Sequence, residues 1–185
     1  MEIKITTNQI LKVLCVLSWV IFIGLCVEAG ALIVNTVITV FINPSGVQNF
    51  WEASDYLSNL YALDKGHFCV LTSLMIIVSV FKALMFYVIL NMFYNKKLNI
   101  AQPFSNELAK FILNLFYLAL GIGLFSRYAM KYAIWLQEQG AGIADLESLD
   151  IAGADVWLFM AVIFFLIVQL VKKGIEIQNE NDLTI

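Results

Sequence analysis

Histidine occurs once in this chain, proline twice and cysteine three times, and charged side chains make up only 14% of the 185 residues. Each scarcity excludes something. With His67 alone, beside Gly66, no histidine metal site and no HExxH zinc motif can be assembled. The ordinary reading of a lone loop histidine is polar surface. No phosphate-binding P-loop, GxSxG elbow or CxxC pair is present. The chain is therefore expected not to be an enzyme and to need no cofactor or metal. Cys15 and Cys26 share one apolar run and Cys69 opens the next, so they read as packing residues rather than a disulfide framework. A net charge of −3 with no basic cluster argues against direct nucleic-acid binding.

What the chain has in excess is apolar length. It is 61% hydrophobic with mean hydropathy +0.85, against ~45–50% apolar in ordinary soluble domains. Four runs dominate, over residues 10–41, 68–94, 111–132 and 155–171. A bilayer core ~30 Å thick takes ~20 helical residues to cross. Each run is long enough, the last only just. Pro44 and Pro103 both fall between runs, as they should if every spanning backbone bond is satisfied within its helix. The expectation is an all-α membrane protein: one four-transmembrane-helix bundle over residues 1–185, ending in a short cytoplasmic tail, 172–185. Ala29-Gly30-Ala31 has the small residues of a signal-peptide cleavage site. The apolar stretch reaches it too late and runs on to Phe41, so an uncleaved signal-anchor helix is expected.

Basic residues orient the chain. Lys4, Lys12, Lys96, Lys97, Lys110, Lys172 and Lys173 fall on one side, and at most Lys65, Arg127 and Lys131 on the other. Basic residues mark the cytoplasmic face. Both termini are thus expected inside, with the lipid bilayer as the immediate partner.

The first outer loop, Asn43–His67, opens on the turn signal Asn43-Pro44-Ser45-Gly46. Phe50, Ala53, Leu57, Leu60 and Tyr61 then recur at helical spacing. This predicts a short amphipathic helix. It lies either on the membrane surface, with Trp51 and Tyr56 near the headgroups, or as a lid on the bundle end. The second outer loop, Trp135–Asp155, carries Glu138, Asp145, Glu147, Asp150 and Asp155 after Gly140-Ala141-Gly142. It lacks a DxDxDG calcium pattern and reads as a solvated acidic loop. On the inner side, Ser105 and Glu107 suit the start of the third spanning helix.

Four spans, the Pro103-Phe104-Ser105 entry into the third helix, and the tail residues Glu180, Asp182, Leu183, Thr184 and Ile185 resemble the bacterial DUF2975 family of small membrane proteins. Ile177 stands where that family usually has Leu. The resemblance implies a bacterial inner-membrane protein that accompanies a small Cro-like helix-turn-helix regulator as a cytoplasmic partner. It carries over no catalytic residues.

Four ionisable residues fall inside or at the edges of the runs. At ~1.5 Å per residue, Glu28 lies about 24 Å above Lys12, Lys82 about 21 Å above Lys96, Arg127 about 26 Å above Lys110, and Asp155 about 26 Å above Lys172. Glu28, Lys82, Arg127 and Asp155 thus form an expected intramembrane charged layer, with Glu28 facing Lys82 across adjacent helices. The layer serves either as an ion pair that fixes helix order or as a ligand or ion site. Gly121-Ile122-Gly123 is expected to be a close-packing surface.

Two functions follow. The first is a non-enzymatic regulatory or interaction protein acting through a tail docking element of Glu180, Asp182, Leu183, Thr184 and Ile185. That element has two open seats: the loop around Pro103 and Phe104, with Lys110 beside its carboxylates, or a groove on a soluble regulator. The second is a small transporter or ligand-binding bundle that uses the charged layer.

Overall fold

The computed structural model describes residues 7–94 and 104–182. Five α-helices are present among the described residues: α1, Thr7–Val37; α2, Ser54–Leu63; α3, Lys65–Tyr94; α4, Asn106–Glu138; and α5, Ala154–Asp182. No strand occurs among the described residues. α1, α3, α4 and α5 are each, by length and composition, long and apolar enough to cross a membrane. α3, α4 and α5 outrun the apolar runs that predicted them, because polar end residues continue the backbone ladder, whereas α1 ends at Val37, before its run does.

The helices pack in chain order: α1 on α3, α3 on α4, α4 on α5. α4 is held closely on two sides by its glycines. A Cβ on Gly121 would stand 2.6 Å from the Phe81 ring of α3, and one on Gly123 2.7 Å from Leu158 of α5. With no hydrophobic effect between helices in lipid, such close approach is what holds them together. At the other end of α5, Gly174 lies under the Phe104 ring, 2.7 Å from where its Cβ would be.

These two contacts fix the α4–α5 register. Counting four residues back from Leu158 puts the start of α5 level with Arg127. α4 therefore overshoots α5 by roughly 16 Å at ~1.5 Å per residue. The loop that joins them must descend along α4 to reach Ala154.

Both connecting loops at that end fold inward. α1 closes with a π turn, Ile38–Ile42, whose Ile38 carbonyl accepts from the Asn43 N–H at 2.8 Å. The Asn43 side chain then accepts from the Ser45 N–H at 3.0 Å and starts the Pro44–Asn49 turn. Asn35 Nδ2 donates to the Asn49 carbonyl at 3.0 Å, fastening this turn to α1. Phe50, Ala53, Leu57 and Leu60 are buried against Phe68, Leu71 and Leu136. α2 is thus a lid on the helix ends. Tyr56 is buried with it rather than placed at a headgroup, while Trp51 remains exposed. The Tyr56 hydroxyl has no hydrogen-bond partner among the described residues, and its burial raises its pKa.

The 139–153 loop, with Asp145, Glu147 and Asp150, departs from the solvated acidic segment expected there. Ala141, Leu149 and Ile151 are buried in the same core as the lid. Leu149 and Ile151 flank Asp150, and sinking them carries Asp150 in as well.

Ser105 caps α4 as its spacing predicts, accepting from the Leu108 N–H at 3.1 Å. Asp64 does the same for α3: its Oδ1 accepts from the His67 N–H at 2.8 Å. That bond holds the Asp64 carboxyl below its ordinary pKa. A depressed carboxylate contributes stability above its unfolded pKa of ~3.9 and loses it as pH falls through the lower folded value. The protection factors of the first-turn amides of α3, after correction for the pH dependence of intrinsic exchange, are therefore expected to fall on acidification through that window in the wild type, and to show no such step in Asp64→Ala.

The glycine contacts give a second prediction. Gly123→Ala forces Leu158 and its backbone away and is expected to cost ~1–3 kcal/mol, the usual price of overpacking. Gly24→Ala, where nothing lies within 4 Å of the new Cβ, is expected to be neutral or to gain ~0.5–1 kcal/mol from helix propensity. Unfolding of the two variants in one detergent checks both; equal effects would mean that α4 and α5 do not meet at Gly123.

Candidate functional site

A lysine in an apolar helix is costly to leave unpartnered. At a helix centre facing lipid, the penalty is ~2.5–3.5 kcal/mol even on lenient scales. Lys82 sits twelve residues before the end of α3 with its side chain only 14% exposed. Its partner is Asp150. Lys82 Nζ donates to Asp150 Oδ2 at 2.6 Å and Oδ1 at 2.7 Å, and lies 3.3 Å from the Asp150 carbonyl oxygen. This corrects the pairing expected from depth along the helices. Glu28 is not the partner, because the descending loop delivers a carboxylate that helix counting cannot see.

Asp150 reaches that position through unusual backbone geometry. Its φ is +54°, in the left-handed region, where most L-residues pay a steric cost. Aspartate tolerates that region better than most, and the turn closes with the Asp150 N–H on the Glu147 carbonyl at 2.9 Å. Gly140, Gly142 and Gly153, all at positive φ, supply the other bends of the loop.

Glu28 nevertheless faces this cluster. Its Oε1 accepts from Ser79 Oγ at 3.5 Å, a long contact, and Asp150 and Lys82 are its charged neighbours. Arg127 and Asp155 do not join. Both are exposed, and neither forms a salt bridge among the described residues. Of the four residues of the expected layer, Glu28 and Lys82 share a centre completed by Asp150, and Arg127 and Asp155 stand exposed apart from it.

An open cavity of about 480 Å³ lies over this centre. α1 and α3 supply Glu28, Leu32 and Met75, the first loop supplies Phe50, Trp51 and Glu52, and the second supplies Glu147, Ser148 and Asp150. Trp51, like Asp150, has positive φ, at +48°. No group of three or more His, Cys, Asp or Glu side chains converges as a metal would require among the described residues.

His67 is less exposed than its setting suggested. Its Nδ1 lies 2.7 Å from the Tyr132 hydroxyl, and Tyr132 and Trp135 flank its ring edge-on. This joins the start of α3 to the upper part of α4.

Of the tail element, Glu180 and Asp182 lie on the last turn of α5. Leu183, Thr184 and Ile185 lie outside the described residues, as does Pro103. Phe104 does touch α5, at Gly174. Past that contact α5 continues eight residues, about 12 Å, away from Lys110, which lies further along α4 in the opposite direction.

Comparison with known proteins finds no match in family profiles, curated proteins or solved structures.

The Lys82–Asp150 pair is directly testable. Lys82→Met leaves Asp150 without a cation, and Asp150→Asn leaves Lys82 without an anion. The double variant removes both charges. A double-mutant cycle is expected to show coupling of the order of 1–2 kcal/mol for Lys82 with Asp150, below the fully buried range because the Asp150 side chain is 43% exposed. Coupling of Lys82 with Glu28 is expected to be smaller. The reverse order would return Lys82 to Glu28.

Proposed function

We propose that this is a non-enzymatic regulatory protein of the bacterial inner membrane, with both termini cytoplasmic, that passes the state of its outer loops to a cytoplasmic partner through α5. One observation carries this reading. Asp150, held by Lys82, lies four residues before a helix that runs uninterrupted from Ala154 to Asp182. A change in the 139–153 loop therefore acts at once on the first turn of a rod. The other end of that rod projects beyond the Phe104–Gly174 contact with Glu176, Ile177 and Glu180 exposed. The resemblance to DUF2975 supplies the partner's class, a small helix-turn-helix regulator that engages the tail from Glu180 through Asp182, Leu183, Thr184 and Ile185. Transport has less support: transporter sites are usually built from broken helices, and α3, α4 and α5 are continuous.

Two measurements test this. In a chain freed of Cys15, Cys26 and Cys69, an impermeant thiol reagent added to intact cells is expected to label Ser148→Cys and spare Asn106→Cys. The reverse result overturns the orientation. Full-length protein in nanodiscs is expected to retain the helix-turn-helix protein encoded beside it, and deletion of 182–185 is expected to lower that recovery about ten-fold. Unchanged recovery removes the tail from the output.

A further inference from the structure

The cavity over Lys82 is unusual in charge and setting. Its lining holds four carboxylates, Glu28, Glu52, Glu147 and Asp150, and no cationic side chain. Lys82 approaches from beneath, but its ammonium is engaged by both oxygens of Asp150. What remains for Glu28 is a 3.5 Å contact from a serine and a second carboxyl group nearby. Glu28 stands on a helix long and apolar enough to span a membrane, with Ser79, Asp150 and Lys82 as its polar neighbours, and an ionisable residue in such a helix is a functional-site candidate by default. The cavity wall next to it is apolar and aromatic: Leu32, Phe50, Trp51 and Met75. The carboxylates are spread around this wall rather than converged on a point, and no metal-holding group forms from them among the described residues. An occupant that satisfies both the charge and the wall must be a cation larger than a bare ion. A volume of about 480 Å³ suits a small organic molecule.

We propose that this cavity binds an organic ammonium ion with an apolar body, its charge toward Glu28 and its body against Phe50, Trp51 and Met75. Glu52 and Glu147, exposed on the two loops, form the rim and attract the cation before it enters. Occupancy adds a further bridge between Glu28 of α1, the first loop and the second loop. The site does not depend on the tail output: binding is retained when 182–185 are deleted, so the two readings fail separately.

The test uses the full chain in nanodiscs of neutral lipid. The probe is benzyltrimethylammonium, compared with its uncharged isostere neopentylbenzene and with sodium, by calorimetric titration at fixed ionic strength. Saturable binding of the ammonium is expected, with neither the isostere nor sodium competing. Glu28→Gln is expected to weaken binding about ten-fold or more. Because that substitution lies in a packed helix, the exposed double variant Glu52→Gln/Glu147→Gln serves as an independent arm, expected to weaken binding at least about three-fold by slower entry. Glu138→Gln, on the same end of the protein but outside the cavity, is expected to leave affinity unchanged. The proposal is overturned by no saturable binding of the ammonium, by equal binding of neopentylbenzene, by competition from sodium, or by full affinity in the Glu52→Gln/Glu147→Gln protein.

Discussion

Lys82 must be paired, and most of the structure at the loop end follows from how it is paired. An ammonium in an apolar helix needs an anion within hydrogen-bond reach. The neighbouring helix offers Glu28, yet the chain brings Asp150 from a connecting loop instead. That choice makes the loop part of the interior. Leu149 and Ile151 are buried on either side of the pair, beside Leu57 and Leu60 of the lid. The salt bridge orders a segment that would otherwise cross open space between helices of unequal reach.

The unequal reach is itself set by small residues. Gly123 against Leu158 and Gly174 against Phe104 fix how far α5 slides along α4. Because α5 starts low, the loop has to come down, and its descent brings Asp150 to Lys82. Packing register and charge pairing are therefore one constraint. A side chain at Gly123 would loosen the register, and loss of Asp150 would strand the charge. α5, which begins just after the pair and continues beyond the Phe104 contact, inherits both effects.

Much of this was legible in the sequence, and the failures share a cause. Apolar run length gave the four long helices, and the Phe50–Tyr61 stripe gave α2 and its buried face. Ser105 showed its cap, and the Gly121–Gly123 segment its close packing. Each of these signals is local, set by spacing along one element. Depth along helices correctly brought Glu28 and Lys82 to one region. It paired them wrongly, because helix counting assigns no depth to a loop. Asp150 looked solvated amid Asp145, Glu147 and Ser148. The signal that could have found it was the apolar pair Leu149 and Ile151 around it, too short to register as a core segment. The polar run Asn179–Asp182 is helical all the same, because continuation of an existing helix costs far less than nucleating one.

The central claim is that the Lys82–Asp150 pair holds the 139–153 loop in the interior. Hydrogen–deuterium exchange on the full chain in nanodiscs, wild type against Lys82→Met, tests it most directly. The account predicts faster exchange of the Leu149, Asp150 and Ile151 amides and of the first turn of α5, with the amides of α2 little changed. Equal protection of the loop in both proteins would contradict it, placing the order of this segment in its apolar contacts alone.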